Sequence, residues 1–381
     1  MPLQEQMCCH GRNHRKSRRA NGMKLLVQPD DGATPLVKAI QGARTSIDIL
    51  IFRFDRKDIE RALLNAVGQG VRVRALIAYT NRGGEKNLRA LEMRLLAAGV
   101  IVARTSDDLL RYHGKMVIID SRDLYLLAFN FTYADMERSR SFGVITPDRK
   151  LVQEAEKLFE ADMQRQEYTP TSAGFIVSPL NARQELSAFI KAAKKELLIY
   201  DPAVTDLEMV SLLNERIKAG VDVRIIGRGK LPAHKLTGVR LHTRTIVRDG
   251  THVFIGSQSL RRAELDKRRE IGLIFRDPKI ALQLTKIFND DSEGTQPVVS
   301  ETGETIPAGK IAKRVAKAVT HQLPPVAPVV EIMVKEVAGN GVDVSLKTDI
   351  LQDRVQNAVK QAVKEAVRDA VEDAALPAKD H

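Results

Sequence analysis

Residues 112–120 read Tyr-His-Gly-Lys-Met-Val-Ile-Ile-Asp, and residues 242–249 read His-Thr-Arg-Thr-Ile-Val-Arg-Asp. Each stretch carries a basic residue two positions after its histidine and an aspartate seven positions after it. The interval from His113 to His242 therefore equals the interval from Asp120 to Asp249, and we call it the repeat interval. An internal duplication explains this agreement better than chance, because a fixed long-range spacing is the signature of repeated units.

The segments before each stretch also repeat. The first copy shows a strand-like pattern at 46–52, an amphipathic helical pattern at 58–68 and strand-like alternation at 71–77. The second copy shows a helical pattern at 186–193, followed by a strand, a helix and a strand at 196–200, 206–219 and 221–226. Alternating strands and helices of these lengths predict an α/β fold in which helices pack against sheets.

The residue types in the repeated stretch suit the cleavage of a phosphodiester. On an alternating strand His113 and Lys115 share one face, because residues two apart point the same way. One imidazole near neutrality can attack phosphorus, and a second can protonate the leaving oxygen. Basic side chains can then hold the charge that develops on the non-bridging oxygens.

These features resemble the phospholipase D superfamily over about residues 36–290, since His-x-Lys-x4-Asp recurs and polar residues follow each aspartate by ten positions. The resemblance implies two phospholipase D-like α/β sandwich lobes related by a pseudo-twofold axis, with both motifs in one active site. It also implies that His113 is the nucleophile and His242 the general acid and base. The expected phosphate-binding residues are Lys115, Arg244, Asn130 and Ser259.

The sequence departs from the family pattern at several positions. Arg244 replaces lysine, Ser259 replaces asparagine, and Leu127-Ala128 replaces Gly-Ser. The acidic residue expected about 28 positions after each histidine is Glu270 in the second copy but Ser141 in the first. We therefore predict that Glu270 orients the histidine of its own copy, His242, and that the histidine roles could be exchanged or the rate lowered.

Asp120 and Asp249 complete the motifs and are included in the predicted catalytic set, together with Glu270. A structural role for these two aspartates, in which they fix loops through hydrogen bonds, is simpler than a catalytic role. No cluster of His, Cys and Asp has the spacing of metal ligands, so the sequence predicts no metal and no other cofactor.

The net charge of +12 is concentrated in the repeat, because residues 23–290 carry +11 while the tails carry +4 and −3. This charge suits an anionic partner, either a phospholipid membrane surface or nucleic acid. With no Trp and 4% aromatic residues, the chain is unlike proteins that stack single-stranded bases on exposed rings. The two cysteines are adjacent, at 8 and 9, which predicts no disulfide framework and a reducing compartment.

The sequence divides into five predicted segments. They are a basic disordered tail at 1–22, a first lobe at 23–168, a second lobe at 169–290, a linker at 291–347 and a C-terminal helix at 348–381. The internal duplication predicts a monomer with no obligate protein partner.

The predicted function is that of a phospholipase D-type phosphodiesterase or phosphatidyltransferase, acting on phospholipid through a phosphohistidine intermediate. The predicted location is the cytoplasm, peripheral at the inner face of the cell membrane, because no apolar run is long enough to span a bilayer. Three alternatives stay open: cardiolipin synthase-like transfer to an alcohol, a nuclease of the same superfamily, and a degenerate non-catalytic scaffold that binds phosphate.

Overall fold

Two eight-stranded sheets, which share the order of seven strands, organise the repeat in a computed structural model of the chain. The structure describes residues 22–79, 85–293 and 296–298, and the helical residues 358–359 and 362–363. The chain divides into two compact units, Met1–Glu301 and Thr302–His381, and both lobes of the repeat lie in the first. Three predicted segments lie almost wholly outside the described part: the tail, the linker and the C-terminal helix. The described residues within them are 22, 291–293, 296–298, 358–359 and 362–363.

The first lobe contains strands β1 to β8 and helices α1 to α5. The strands are Lys24–Gln28, Ser46–Ile51, Arg72–Ile77, Ile101–Arg104, Arg111–Tyr112, Met116–Ile119, Asp123–Leu127 and Ser139–Thr146. The helices are Thr34–Gln41, Lys57–Gly68, Glu85–Ala97, Tyr133–Glu137 and Arg149–Gln164. The sheet order is β1-β8-β7-β6-β2-β3-β4.

The second lobe contains strands β9 to β18 and helices α6 to α9. The strands are Phe175–Val177, Glu196–Val204, Asp222–Gly229, Ala233–Lys235, Arg240–Leu241, Arg244–Arg248, His252–Gly256, Arg268–Arg269, Ile271–Arg276 and Gln296–Val298. The helices are Ala182–Lys191, Leu207–Lys218, Arg262–Asp266 and Pro278–Glu293. The sheet order β9-β17-β15-β14-β10-β11-β12 repeats that of the first lobe, with β18 added beside β12, whereas β13 pairs with β8 of the first sheet.

The helices and strands predicted from local periodicity are confirmed. Helix α2 buries Ile59, Ala62 and Leu63 on one face, and its first turn carries acidic residues that suit the positive end of the helix dipole. Strand β2 is buried along its whole length, as expected for a strand inside a sheet covered on both faces. One boundary is wrong: residue 290 lies inside α9, which continues to Glu293.

A shared hydrophobic core joins the lobes. Phe142 of the first lobe contacts Tyr200 of the second with ring centroids 5.4 Å apart, and Tyr200 contacts Phe288 at 5.0 Å. All three rings are buried, and aromatic contacts of this edge-to-face kind add to the gain from burying apolar surface. The lobes therefore pack as one body, which fixes the residues that meet between them.

No helix in the described ranges is long and apolar enough to cross a membrane.

Candidate active site

Two short parallel strand pairs cross from one lobe to the other and carry the motif histidines. Strand β5 pairs with β16, and β13 pairs with β8. At the ends of these pairs the backbone N–H of His113 donates to the carbonyl of Arg269 at 2.7 Å, and that of His242 donates to the carbonyl of Arg140 at 3.0 Å. Each histidine therefore belongs to one lobe and is held by the backbone of the other.

His113 lies in a buried cluster formed by both lobes. Its Nδ1 is 2.8 Å from Oε2 of Glu270, which is fully buried. The ring of Phe52 meets the imidazole edge to face with centroids 4.5 Å apart. Gly114 allows the second lobe to approach, because a Cβ there would lie 2.5 Å from Cδ1 of Ile271. The carboxylate and the aromatic ring fix the orientation of the imidazole.

The predicted pairing of Glu270 with His242 is therefore wrong. Glu270 follows β16 directly, and β16 pairs with β5 of the first lobe, so the carboxylate meets His113 across the interface. At the matching position of the first lobe, the hydroxyl of Ser141 donates to the backbone carbonyl of His242 at 3.1 Å. Of these two matching positions, only that of the second lobe carries a carboxylate.

Lys115 is buried against His113. Its Nζ lies 2.9 Å from Nε2 and 3.0 Å from Nδ1 of the ring, and donates to the His113 carbonyl at 2.7 Å. The expectation that one regular strand carries both side chains is wrong, since β5 ends at Tyr112 and β6 begins at Met116. The irregular residues between these strands still direct both side chains into the site.

His242 has a looser acidic partner, Asp135. The distance from its Nδ1 to Oδ2 of Asp135 is 3.5 Å, beyond good hydrogen-bond geometry. Asp135 also accepts from the backbone and side-chain nitrogens of Asn130, at 2.8 and 2.6 Å, and pairs with Arg240. The amide group of Asn130, predicted to bind phosphate, is thus engaged with Asp135 in this structure.

Arg244 forms the matching cluster in the second lobe. Its Nε donates to Oγ of Ser259 at 3.3 Å and is 3.8 Å from Oε2 of Glu264. Ser259 N donates to the same carboxylate at 2.8 Å, as Asn130 does to Asp135. Of the predicted phosphate-binding residues, Lys115 contacts His113, Asn130 is held by Asp135, and Arg244 and Ser259 both contact Glu264.

Sequence reasoning missed Asp135 and Glu264. The repeat held a signal for them, because they too are separated by the repeat interval and each follows its polar residue, Asn130 or Ser259, by five positions. Carboxylates that position basic and polar groups in this way are typical supports of an active site.

Asp120 and Asp249 lie away from the histidines, although both were included in the predicted catalytic set. The Asp120 carboxylate accepts from the backbone N–H of Arg44, Thr45 and Ser46, at 2.8 to 3.2 Å. The Asp249 carboxylate accepts in the same way from the N–H of residues 194–196. These aspartates stand at the far ends of β6 and β14, where they fix the start of a neighbouring strand rather than touch the site.

Burial and neighbouring cations set the ionisation of the site. Burial, with the charges of Lys115 and Arg244, holds the pKa of His113 well below its usual value. Burial also lowers the pKa of Lys115 to about 7 and raises the pKa of Glu270. The pKa of His242 is lowered by burial and by the same two cations, against the charge of Asp135. The charges of Lys115 and Arg244 therefore lower the pKa of both imidazoles.

The described ranges contain no group of three His, Cys, Asp or Glu side chains that could hold a metal ion.

Comparison with known proteins relates this site to enzymes of phospholipid chemistry. The family described as "Cardiolipin synthase, PLD-like domain" matches residues 36–163. The mitochondrial cardiolipin hydrolase of Mus musculus is 26% identical over 152 residues, which cover 39% of this chain and 65% of that protein. The enzyme of the same name from Homo sapiens is 28% identical over 152 residues, covering 39% and 57%. The matches thus span less than two thirds of these curated relatives.

Two solved structures share the fold over most of the repeat. Polyphosphate kinase from Porphyromonas gingivalis superposes with a TM-score of 0.63 at 18% identity, covering 73% of this chain and 48% of the other. Phosphatidylserine synthase from Haemophilus influenzae Rd KW20 superposes with a TM-score of 0.57 at 12% identity, covering 74% and 89%. At these identities the likeness concerns the fold alone.

Proposed function

Since the chain belongs to the phospholipase D superfamily, we propose that it is a phosphodiesterase or phosphatidyltransferase that acts on phospholipid through a phosphohistidine intermediate. The observation that carries the proposal is the 2.8 Å contact between His113 Nδ1 and Glu270 across the lobe interface. An ionised Glu270 accepts a hydrogen bond from Nδ1–H, and this tautomer has its lone pair on Nε2, where it can attack phosphorus. The same carboxylate stabilises the positive charge that the ring gains when it carries phosphate.

In the first step Nε2 of His113 forms a bond to phosphorus, and the P–O bond to the leaving alcohol breaks. His242 donates its ring proton to the departing oxygen. The charge of Asp135, 3.5 Å away, and the anionic substrate both favour the protonated form of His242 that this step needs. Lys115 and Arg244 neutralise the non-bridging oxygens, where charge is concentrated in the transition state.

In the second step water or an alcohol attacks phosphorus while His242 takes its proton, and the N–P bond breaks. Attack by water gives hydrolysis, and attack by an alcohol gives phosphatidyl transfer. Both outcomes use the same residues, so the acceptor is set by what reaches the site. The cardiolipin synthase-like alternative is the second of these outcomes.

Phospholipid is favoured as the substrate because the family model that matches residues 36–163 is described as cardiolipin synthase, PLD-like domain, and the curated relatives are cardiolipin hydrolases. A nuclease of the same superfamily is the second candidate, because the charge of +11 on residues 23–290 suits a polyanion equally well. In either case we propose that the protein works at an anionic surface, as a peripheral enzyme of the cytoplasm.

The test incubates the purified protein with cardiolipin-containing vesicles and, separately, with labelled single-stranded DNA, each with and without a primary alcohol. We expect lipid turnover by the unchanged protein to survive a chelator. In His113→Ala and in His242→Ala, turnover should fall by at least about 1,000-fold, because the covalent route is lost. His252→Ala is the matched control, since His252 bonds Thr251 outside the site and should keep full activity.

Cleavage of DNA but not of lipid would identify the nuclease. Full activity in both site variants would remove the proposed catalytic roles of the two histidines. Turnover of neither substrate by the unchanged protein would leave the phosphate-binding scaffold.

A further inference from the structure

A cavity of about 410 Å³ lies on the reverse face of the β5·β16 pair that carries His113 and Glu270. Tyr112 and Arg269 line it, while the next residue along each strand points into the candidate active site. Neighbouring side chains of an extended segment point to opposite faces, so the cavity and the catalytic cluster share one backbone layer. None of the lining residues takes part in the proposed reaction.

The duplication supplies an internal comparison for this cavity. In the first lobe, Nε and Nη2 of Arg140 donate to both oxygens of Asp291, at 2.9 and 3.0 Å, and Nη1 donates to the carbonyl of Gln28 at 3.2 Å. Arg269 and Asp162 are the matching pair, each one repeat interval away from its counterpart. Here only Nη2 of Arg269 contacts Oδ1 of Asp162, at 3.1 Å.

Arg269 and Asp162 are consequently left with unused polar atoms. Within the described part of the chain, Nε and Nη1 of Arg269 and Oδ2 of Asp162 have no hydrogen-bond partner. Both side chains are more than nine-tenths buried, and both line the cavity. Buried polar atoms are almost always paired, and leaving one unpaired costs about 1–3 kcal/mol, so these atoms indicate a site for a polar ligand.

The charges around the cavity define that ligand. The guanidinium of Arg269 lies over the Tyr112 ring, 5.6 Å from its centroid, and the Tyr112 hydroxyl donates to Asp108 at 2.8 Å. Tyr112 therefore separates a cationic donor from a carboxylate. Asp162 and Asp108 both line the cavity, and burial raises the pKa of Asp162 to about 6, with a smaller contribution from the negative charge of Asp108. The lining also includes one further carboxylate and one further cation, whose charges offset each other: Glu167 and Arg165.

We propose that this cavity is a binding site for a small zwitterion, whose anionic group takes the unpaired N–H groups of Arg269 and whose ammonium faces Asp162 and Asp108. A simple anion would meet the repulsion of these carboxylates, and a simple cation would leave Arg269 unpaired. The volume is within the range of about 300–1,000 Å³ that small-molecule sites occupy. The site is separate from the proposed reaction and does not depend on it.

The test measures binding of 4-aminobutyrate, a zwitterion without phosphate, to the full chain by calorimetry. Butyrate and butylammonium are the singly charged comparisons. We expect saturable binding of the zwitterion, with each comparison at least tenfold weaker, because a hydrogen bond to a charged group contributes about a factor of ten or more. Arg269→Gln should weaken binding of the zwitterion by the same factor.

Three further variants separate this site from misfolding and from the active site. Leu180 is an exposed residue that lines the cavity and is not part of the ion pair, so Leu180→Trp adds bulk there and should weaken binding at least tenfold, the loss expected when the ligand is excluded. Leu207→Trp is its control, because Leu207 is an exposed leucine outside the cavity. His113→Ala should bind the zwitterion as the unchanged protein does.

The proposal is overturned if no probe binds saturably, if the zwitterion binds no tighter than butyrate or butylammonium, or if binding is unaffected by Leu180→Trp. Loss of binding in His113→Ala alone would assign the ligand to the catalytic cluster instead.

Discussion

Replacing Glu270 by Gln tests the role of the carboxylate that crosses the lobe interface. Glu270 is fully buried and its Oε2 is 2.8 Å from His113 Nδ1. Gln keeps the shape but removes the charge. For charges about 4 Å apart at an effective dielectric constant of about 20, the lost stabilisation of a cationic His113 is about 4 kcal/mol. This corresponds to a fall in kcat of about 1,000-fold.

The tautomer of His113 adds to this loss. The amide nitrogen of Gln can donate to Nδ1, which moves the ring proton to Nε2 and removes the attacking lone pair. The assay is initial-rate cleavage of bis(4-nitrophenyl) phosphate at pH 7, with vesicle turnover as the second readout. KM should change little, because Glu270 pairs with the histidine and not with substrate.

Ser141→Ala is the matched control, since Ser141 occupies the position of Glu270 in the other repeat. Its hydroxyl makes one hydrogen bond to the carbonyl of His242 at 3.1 Å, worth about 1 kcal/mol of stability, so kcat should stay within about threefold. A Glu270→Gln variant with nearly full kcat, beside a Ser141→Ala variant reduced tenfold, would refute the reasoning. Circular dichroism of both variants should be measured as a control that the fold is retained.

The raised pKa of Glu270 also gives the pH profile an acid limb. The reactive state needs Glu270 ionised, so kcat/KM should fall as pH drops, and should begin to fall above the ordinary range of a glutamate because burial raises this pKa. In Glu270→Gln the acid limb should disappear. Persistence of that limb in the variant would assign it to another group.

The remaining predictions concern Lys115, the phosphorylated histidine and Asp120. The pKa of Lys115 is lowered to about 7, and its cation holds phosphate in the proposed reaction. The value of kcat/KM should therefore fall as pH rises through about 7. The Lys115→Arg variant stays charged, so it should remove that fall while lowering the maximum rate. When the reaction with a slowly cleaved diester is quenched with acid, mass spectrometry of the peptides should find phosphate on the peptide that contains His113. Phosphate on the His242 peptide would reverse the histidine roles. Asp120→Asn removes the negative charge that strengthens the hydrogen bonds from the N–H groups of residues 44–46, and should lower the free energy of unfolding by about 2 kcal/mol in a urea titration, with kcat per folded molecule unchanged. An Asp120→Asn variant of normal stability and low kcat would return this residue to the catalytic set.

Local patterns in the sequence were enough to predict most elements of each lobe. Helix α2 has the periodicity of 3.6 residues that burial on one face imposes, whereas β2, which is buried along its whole length, is a short and mostly apolar run; both patterns can be read along the chain. The two-residue strands β5 and β13 carry no such signal, because their partners are in the other lobe. Their existence depends on how the lobes pack.

The sequence by itself determined the duplication, the α/β lobes and the identity of the histidines and cations of the site, because a single repeat interval marks equivalent positions. Only the tertiary structure decided which acid serves which histidine. Glu270 is much nearer to His242 along the chain than to His113, yet it contacts His113, because β16 pairs across the interface. Chain distance predicts contacts within a lobe, whereas contacts between lobes follow from the packing of two complete sheets, which no local pattern records.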